Sequence, residues 1–276
     1  MRIEAEQFVI NARGDGVKLV DALSESEPDT LKAFLTADLN DADMRTWRSV
    51  LAERAADSSS AIEYQDVGEY ARSVREIQSL VEADGTQITD PNRVVQETIY
   101  NSEDDGQILG QMLEARRTVH YAREYGDAEV DPDIGGTAEP DIRVGRGGNT
   151  LYLEEKMVEE DLDNGLKIKD KVIEADGSFN GIAESHNEVV EISAQGDIAS
   201  DFNPTTSEAE TPRESFKTLI QVDNDPNKPE ITGLPQSPAG FENPEMTIRV
   251  ITKDGELVDG GEFTIREVYE EVNNGN

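Results

Sequence analysis

Apolar residues recur at helical spacing through most of the first hundred residues. The segment TLKAFLTADL carries Leu31 and Phe34 on one face, and MRTWRSVLAERAA places Trp47 on a similar apolar face. The segment EYARSVREIQSLVEA repeats the spacing further along the chain. These patterns predict a mostly helical N-terminal accessory module over residues 1–101, with a core built on Phe34 and Trp47.

A longer helix is predicted over residues 105–125. Ser102, Glu103 and the aspartates that follow place a hydroxyl and carboxylates where the N-terminus of a helix is stabilised by them. Gly126 ends the apolar stripe of this helix. From there the sequence changes to short extended runs separated by turns, EPDIRV and TLYLEEKMV among them, which predict strands.

Two capping boxes mark helices near the C-terminus. Thr211 with Glu214 opens RESFKTLIQV, for which a strand is the alternative, and Thr264 with Glu267 opens the last helix. The run MTIRVIT alternates as a strand does, and the small polar residues of 196–212 predict a long loop or a linker. Strands interspersed with helices place this half of the chain in the α/β class.

The charge balance of the chain is strongly acidic. Its 276 residues include 60 Asp and Glu against 25 Lys and Arg, a formal net charge of −35. Because the acids are spread along the whole chain, they indicate a solvated surface rather than one interaction patch. The balance resembles that of proteins from salt-loving archaea, in which molar salt screens the repulsion. We therefore expect a soluble protein of a saline cytoplasm, unless a secretion system delivers it, with no membrane span.

Composition also limits the chemistry that the chain can perform. It has no cysteine and only two histidines, which excludes disulfides, thiolate zinc sites and a cysteine nucleophile. Apolar residues make up 36% of the chain, which suffices for a real core. Any metal would be bound mainly by oxygen atoms.

The strongest chemical signal lies in EPDIRVGRGGNTLYLEEK, residues 139–156. A strand, a glycine-rich turn and a second strand predict a hairpin in which Asp141 lies opposite Leu153 or close to it. Side chains alternate along a strand, so Glu154 and Lys156 share one face. Two carboxylates and an ammonium group can then converge, which suits phosphodiester hydrolysis assisted by Mg²⁺ or Mn²⁺.

This hairpin resembles the signature of the PD-(D/E)XK nuclease superfamily, formed here by Pro140, Asp141, Glu154 and Lys156. The resemblance implies a restriction-endonuclease-like domain over residues 102–276, with a mixed sheet flanked by helices. It also implies that Asp141 and Glu154 bind Mg²⁺ or Mn²⁺ and that Lys156 assists the attack. The expected substrate is nucleic acid, with DNA favoured over RNA.

Two further glutamates are candidate metal ligands by the same resemblance. Glu139 precedes the motif and would be an auxiliary ligand. Glu114 is the candidate from the preceding helix, although it projects away from the apolar stripe and is expected at the surface. Glu155 departs from the family pattern, because the middle residue of this strand motif is normally apolar. Either its strand face is exposed or the register is shifted by one residue.

Basic residues concentrate around this motif. Besides Lys156 they are Arg143, Arg146, Lys167, Lys169 and Lys171. They predict either a strip that binds nucleic-acid phosphates or a solvated segment that balances neighbouring acids.

A different class of function is a catalytically inactive interaction or structural protein, such as an adaptor or a component of a virus or a secretion apparatus. The extreme acidity and Glu155 favour it. A helical leader before a restriction-like domain also resembles toxin modules of polymorphic secretion systems, which implies an inhibitor or immunity protein as a partner. The sequence does not determine the oligomeric state.

Overall fold

Two units make up the computed structural model of the chain, residues 1–131 and 132–276. The residues that the structure describes are 13–25, 29–37, 44–82, 87–95, 104–134, 139–145, 150–180, 182, 187–200, 202, 211–224 and 233–274. The division lies later than the boundary that the sequence predicts after residue 101. The difference arises because the long helix over residues 105–125 belongs to the first unit.

Five α-helices and a pair of short strands form the described part of the first unit. The helices are α1 Arg13–Glu25, α2 Thr30–Thr36, α3 Met44–Ala56, α4 Tyr64–Glu82 and α5 Asp105–Tyr125. Strand β1 Gln87–Thr89 pairs in parallel with β2 Asp127–Val130. The mostly helical N-terminal region is therefore confirmed, whereas β1 has no counterpart among the predicted elements.

Aromatic side chains form the centre of the first unit. Trp47 and Phe34 are both fully buried. The ring of Trp47 meets the edge of Phe34 at a centroid distance of 5.6 Å and that of Tyr70 at 5.4 Å. Such perpendicular contacts are a favoured geometry for aromatic pairs. The predicted core around Phe34 and Trp47 is confirmed.

Helix α5 begins and ends where its sequence predicts. The side chain of Asp104 accepts a hydrogen bond from the backbone N–H of Gly106 at 2.8 Å. Gly126 ends the helix in the left-handed conformation, with a φ of 81° that favours glycine. Arg116 pairs with Glu69 of α4 at 3.5 Å, and this contact helps to hold α5 in the first unit.

Five strands form a mixed sheet in the described part of the second unit, in the order β3-β4-β5-β6-β7. The strands are β3 Ile142–Val144, β4 Leu151–Val158, β5 Asn187–Ala194, β6 Thr247–Thr252 and β7 Leu257–Thr264. The two outer pairs, β3 with β4 and β6 with β7, are antiparallel, and β4, β5 and β6 run parallel. The helices of this unit are α6 Gly165–Ser178, α7 Pro212–Asp223 and α8 Ile265–Asn274. The predicted α/β class, a mixed sheet flanked by helices, is confirmed.

One face of this sheet packs against helices. Tyr152 of β4 and Val190 of β5 join Val172 of α6 in a single apolar core. Glu154 and Lys156 follow Tyr152 at two-residue intervals along β4, so their side chains project from the same face as that of Tyr152. Helix α6 therefore lies over the two charged residues of the motif.

Both predicted capping boxes lie at helix starts. The backbone N–H of Glu214 donates to Thr211 Oγ1 at 3.3 Å, and Thr264 and Glu267 exchange two hydrogen bonds of 3.2 Å. The segment RESFKTLIQV is thus a helix, and its strand alternative is wrong. Strands β5 and β7 have no counterpart in the sequence analysis. Among the helices that the structure describes, none has the length and apolar character to cross a membrane.

Candidate active site on the strand hairpin

The hairpin of β3 and β4 places Asp141 beside Glu154. Ile142 pairs with Leu153, so the next position in this antiparallel register sets Asp141 opposite Glu154. Gly145, with a φ of 78°, ends β3 and begins the turn. The observed register differs by one residue from the one expected, and the difference sets Asp141 opposite Glu154 rather than Leu153.

Lys156 completes the cluster. Its Nζ lies 2.5 Å from Glu154 Oε1. Asp141 Oδ2 accepts a hydrogen bond from the backbone N–H of Glu155 at 2.5 Å, so the strand that carries Glu154 and Lys156 also holds Asp141 in place. The structure thus brings together the three side chains that the motif predicts to converge.

The two oxygens of Glu154 have different surroundings. Glu154 is only 3% exposed, and its Oε1 accepts hydrogen bonds from Lys156 and, at 2.8 Å, from Ser178 Oγ of α6. Its Oε2 is buried and has no hydrogen-bond partner in the part of the chain that the structure describes. A buried oxygen without a donor is costly, and a bound cation would remove that cost.

Burial raises the pKa values of both carboxyl groups. Burial and the charge of Glu154 raise the pKa of Asp141 from 3.8 to about 7, against the opposing effects of the Glu155 N–H and Lys156. Burial also raises the pKa of Glu154, although Lys156 and Ser178 oppose this rise. Near neutral pH the pair therefore carries less than two full negative charges. A cation bound between the carboxylates would stabilise their doubly ionised form.

Lys156 remains charged in this setting. Burial alone would lower the pKa of its ammonium group, but the charge and hydrogen bond of Glu154 and the charge of Asp141 raise that pKa above its ordinary value. At neutral pH the side chain is consequently a positive charge and a hydrogen-bond donor rather than a base.

The two auxiliary glutamates lie in different units. Glu139 is exposed, and its backbone N–H donates to the carbonyl oxygen of Ser178 at 2.9 Å. Glu114 lies in α5 of the first unit, where it accepts a hydrogen bond from Gln111 at 2.8 Å. It is 6% exposed, so its expected surface position is wrong, because α5 is buried around most of its circumference. Metal-binding roles for Glu114 and Glu139 stay predictions.

The carboxylate of Glu155 does not lie on an exposed face of the sheet. The strand alternation places Glu155 on the face opposite Glu154, in register with Glu191 of β5. Both carboxylate oxygens of Glu155 are shielded from solvent, and Glu191 is 1% exposed. The opposite face of the sheet is therefore covered at this point, and the explanation by an exposed face is wrong. The pairing of β3 with β4 is shifted by one residue from the expected one, but this shift leaves Glu154 and Lys156 on one face of β4.

The lysines of the predicted basic strip lie on α6 and pair with acids. These pairs are Lys167 with Glu160 and Asp163, Lys169 with Asp170, and Lys171 with Glu174. Arg143 lies on β3 opposite Tyr152, and Arg146 falls outside the described residues. The lysine pairs favour a solvated segment that balances neighbouring acids over a strip of free cations.

The cluster offers two carboxylates to a metal rather than a complete protein cage. Within the described ranges, no group of three or more Asp, Glu or His side chains is arranged to hold a metal ion. Mg²⁺ is commonly bound through one or two carboxylates, with waters and substrate phosphates as its other ligands. Asp141 and Glu154, with the unpartnered Oε2 of Glu154, fit that mode of binding.

Two residues on this face carry no motif in the sequence. Ser178 lies 24 residues from Glu154 along the chain, and no local pattern marks it as a partner. Glu188 of β5 pairs in register with Tyr152 and is 8% exposed. Glu188 and Val190 are two residues apart on β5, so their side chains project from the same face of the sheet. This spacing is the one signal in the sequence that could have placed the Glu188 carboxylate on that face.

Replacing Glu188 with glutamine should stabilise the fold at pH 8 and have little effect at pH 5. Burial and the charge of Asp176 raise the pKa of Glu188 from 4.5 to about 7. Between these values the folded state retains a proton that the unfolded state has lost, so the free energy of unfolding falls as the pH rises through this window. Glutamine is always neutral, and we expect a gain of about 1–3 kcal/mol at pH 8.

Urea unfolding of both proteins in molar KCl at the two pH values measures this difference. Glu256→Gln, at an exposed position, controls for the loss of one negative charge. A stabilisation by Glu188→Gln that is the same at pH 5 and pH 8 would contradict the prediction.

We compared the chain with family models, with curated protein sequences and with solved structures, and none of these comparisons found a match.

Proposed function

We propose that the second unit is a divalent-metal-dependent nuclease that hydrolyses phosphodiester bonds. The observation that carries this proposal is the partly buried cluster on the hairpin. Asp141 lies opposite Glu154, the ammonium group of Lys156 lies 2.5 Å from Glu154, and the second oxygen of Glu154 lacks a partner among the described residues. Two carboxylates followed by one cation in this order also resemble the PD-(D/E)XK signature.

Asp141 and Glu154 would hold Mg²⁺ or Mn²⁺ through their carboxylate oxygens. Such an ion acidifies a water molecule and neutralises the charge that builds on the scissile phosphate. The protein's contribution is a shielded pair of hard oxygen ligands on a rigid strand hairpin, which suits the ligand preference of both ions.

Lys156 would contribute a fixed positive charge. Because the pKa of Lys156 is raised, its ammonium group can donate hydrogen bonds to a phosphate oxygen or orient a water, but it does not remove a proton at neutral pH. A charge placed where negative charge develops can stabilise the transition state by several kcal/mol in a shielded site.

Nucleic acid is the expected substrate, with DNA favoured over RNA by the superfamily resemblance alone. The lysines of α6 are paired with acids, and salt screens the attraction between cations and phosphates. Binding would consequently depend on metal bridging and hydrogen bonds more than on a basic surface.

The direct test incubates the full chain in molar KCl with plasmid DNA, or with single-stranded RNA, in Mg²⁺, Mn²⁺ or EDTA. We expect cleavage with either metal and none with EDTA. Asp141→Asn and Lys156→Met should each lower the rate by about 10²–10³-fold. Lys169→Met removes a lysine that is paired on α6 and should leave the rate unchanged.

Two outcomes count against the proposal. One is the absence of cleavage of either substrate by the wild type with either metal. The other is an equal rate for wild type, Asp141→Asn and Lys156→Met, which would assign the activity to a contaminant. The second candidate function, an inactive interaction protein, is favoured by the acid partners of the lysines on α6, and it predicts the first of these outcomes.

A further inference from the structure

We propose that Ser178 is a positioning residue that orients the carboxylate of Glu154 for metal binding. The inference rests on the proposed nuclease function and deepens it, because it assigns a role to a residue outside the hairpin. Ser178 is the last residue of α6, and it belongs to no motif in the sequence.

Ser178 contacts both segments that carry the metal-binding carboxylates. Its Oγ donates a hydrogen bond to Glu154 Oε1 at 2.8 Å. Its backbone carbonyl oxygen accepts the N–H of Glu139, two residues before Asp141, at 2.9 Å. One residue at the end of a helix thus ties the segment that leads into β3 to the middle of β4.

The two donors on Glu154 leave its oxygens unequal. Lys156 and Ser178 both bond Oε1, so that Oε2 is the oxygen left without a protein donor among the described residues. The terminal torsion angle of a glutamate side chain has a broad distribution, so it does not by itself fix the orientation of the carboxylate. Rotation about it would break both hydrogen bonds at once, and the pair of donors therefore keeps Oε2 available for a cation.

The end of α6 is fixed by its own packing. Ala175 and Phe179, on either side of Ser178, are both fully buried in the apolar core. The hydroxyl group is consequently held at a set distance from β4 rather than carried on a mobile loop. A group that orients a metal ligand in this way typically changes metal affinity by about 10–100-fold when it is removed.

The test measures Mn²⁺ binding to the full chain in molar KCl, by calorimetry and by the paramagnetic resonance signal of free Mn²⁺. We expect Ser178→Ala to raise the Kd about 10–100-fold and Ser178→Thr to stay within a few-fold of wild type. Ser178→Val has nearly the shape of Ser178→Thr without the hydroxyl group and should bind as weakly as Ser178→Ala. If Ser178→Ala does not fold, the comparison of threonine with valine decides the question.

Gly177→Ala is the matched control at the same helix end. A Cβ at Gly177 meets no atom within 4 Å, so this variant should bind Mn²⁺ like wild type. Equal weakening by Gly177→Ala, or equal Kd values for the threonine and valine variants, would overturn the positioning role.

Glu154→Gln separates this inference from the proposed function. If wild type binds no Mn²⁺, or if Glu154→Gln binds it as well as wild type does, the metal site fails and the role of Ser178 fails with it. If Glu154→Gln loses binding while Ser178→Ala and Ser178→Val retain it, the nuclease proposal stands and only the role of Ser178 is overturned.

Discussion

Replacing Glu154 with glutamine should lower metal-dependent cleavage by about 10³-fold or more, since a bound metal supplies several kcal/mol of transition-state stabilisation. The amide keeps the size of the side chain but removes the negative charge that we propose to bind the cation. It also removes the charged partner of Lys156. We expect the loss in initial rates on plasmid DNA, together with loss of Mn²⁺ binding in the same buffer.

The same substitution one residue further along provides the control. Glu155 lies on the same strand and its carboxylate oxygens are also shielded from solvent, but its side chain projects from the opposite face, in register with Glu191. Glu155→Gln should keep the cleavage rate within a few-fold of wild type. Comparable losses for the two variants would mean that the rate responds to buried charge in β4 in general, and the assignment of Glu154 would be wrong.

Raising the KCl concentration should increase the melting temperature by about 10 °C or more, which for a chain of this length corresponds to about 3–5 kcal/mol. The net charge of −35 produces repulsion that acts over about 10 Å in 0.1 M salt and about 3 Å in 1 M salt. Thermal unfolding followed by circular dichroism between 0.05 M and 3 M KCl measures the effect.

The shape of this dependence identifies its cause. Screening of surface charge should produce most of the increase below about 1 M salt and then level off. Exclusion of salt from the protein surface instead raises stability steadily with concentration. A melting temperature that does not change between low and molar salt would contradict the proposed salt adaptation.

Local patterns in the sequence predict the helices and the hairpin because their determinants are close together along the chain. Asp104 and Gly126 bound α5, and Thr211 starts α7, through hydrogen bonds and backbone angles confined to a few residues. Alternation along β4 likewise places Glu154 and Lys156 on one face. Strands β1, β5 and β7 carry no such local mark in the sequence, and β1 and β5 pair with segments that are distant along the chain.

The sequence by itself therefore determined the α/β class, the caps of several helices, and the meeting of Asp141, Glu154 and Lys156 on one hairpin. Only the tertiary structure decided which oxygen of Glu154 has no hydrogen-bond donor among the described residues, because that depends on Ser178 of α6, 24 residues away along the chain. The tertiary structure also decided which residues are buried. Glu114, for example, is buried although it lies off the apolar stripe of its helix. Hydrogen bonds within one turn or strand depend on neighbours in the sequence, whereas burial and the pKa values that follow from it depend on what the folded chain packs against.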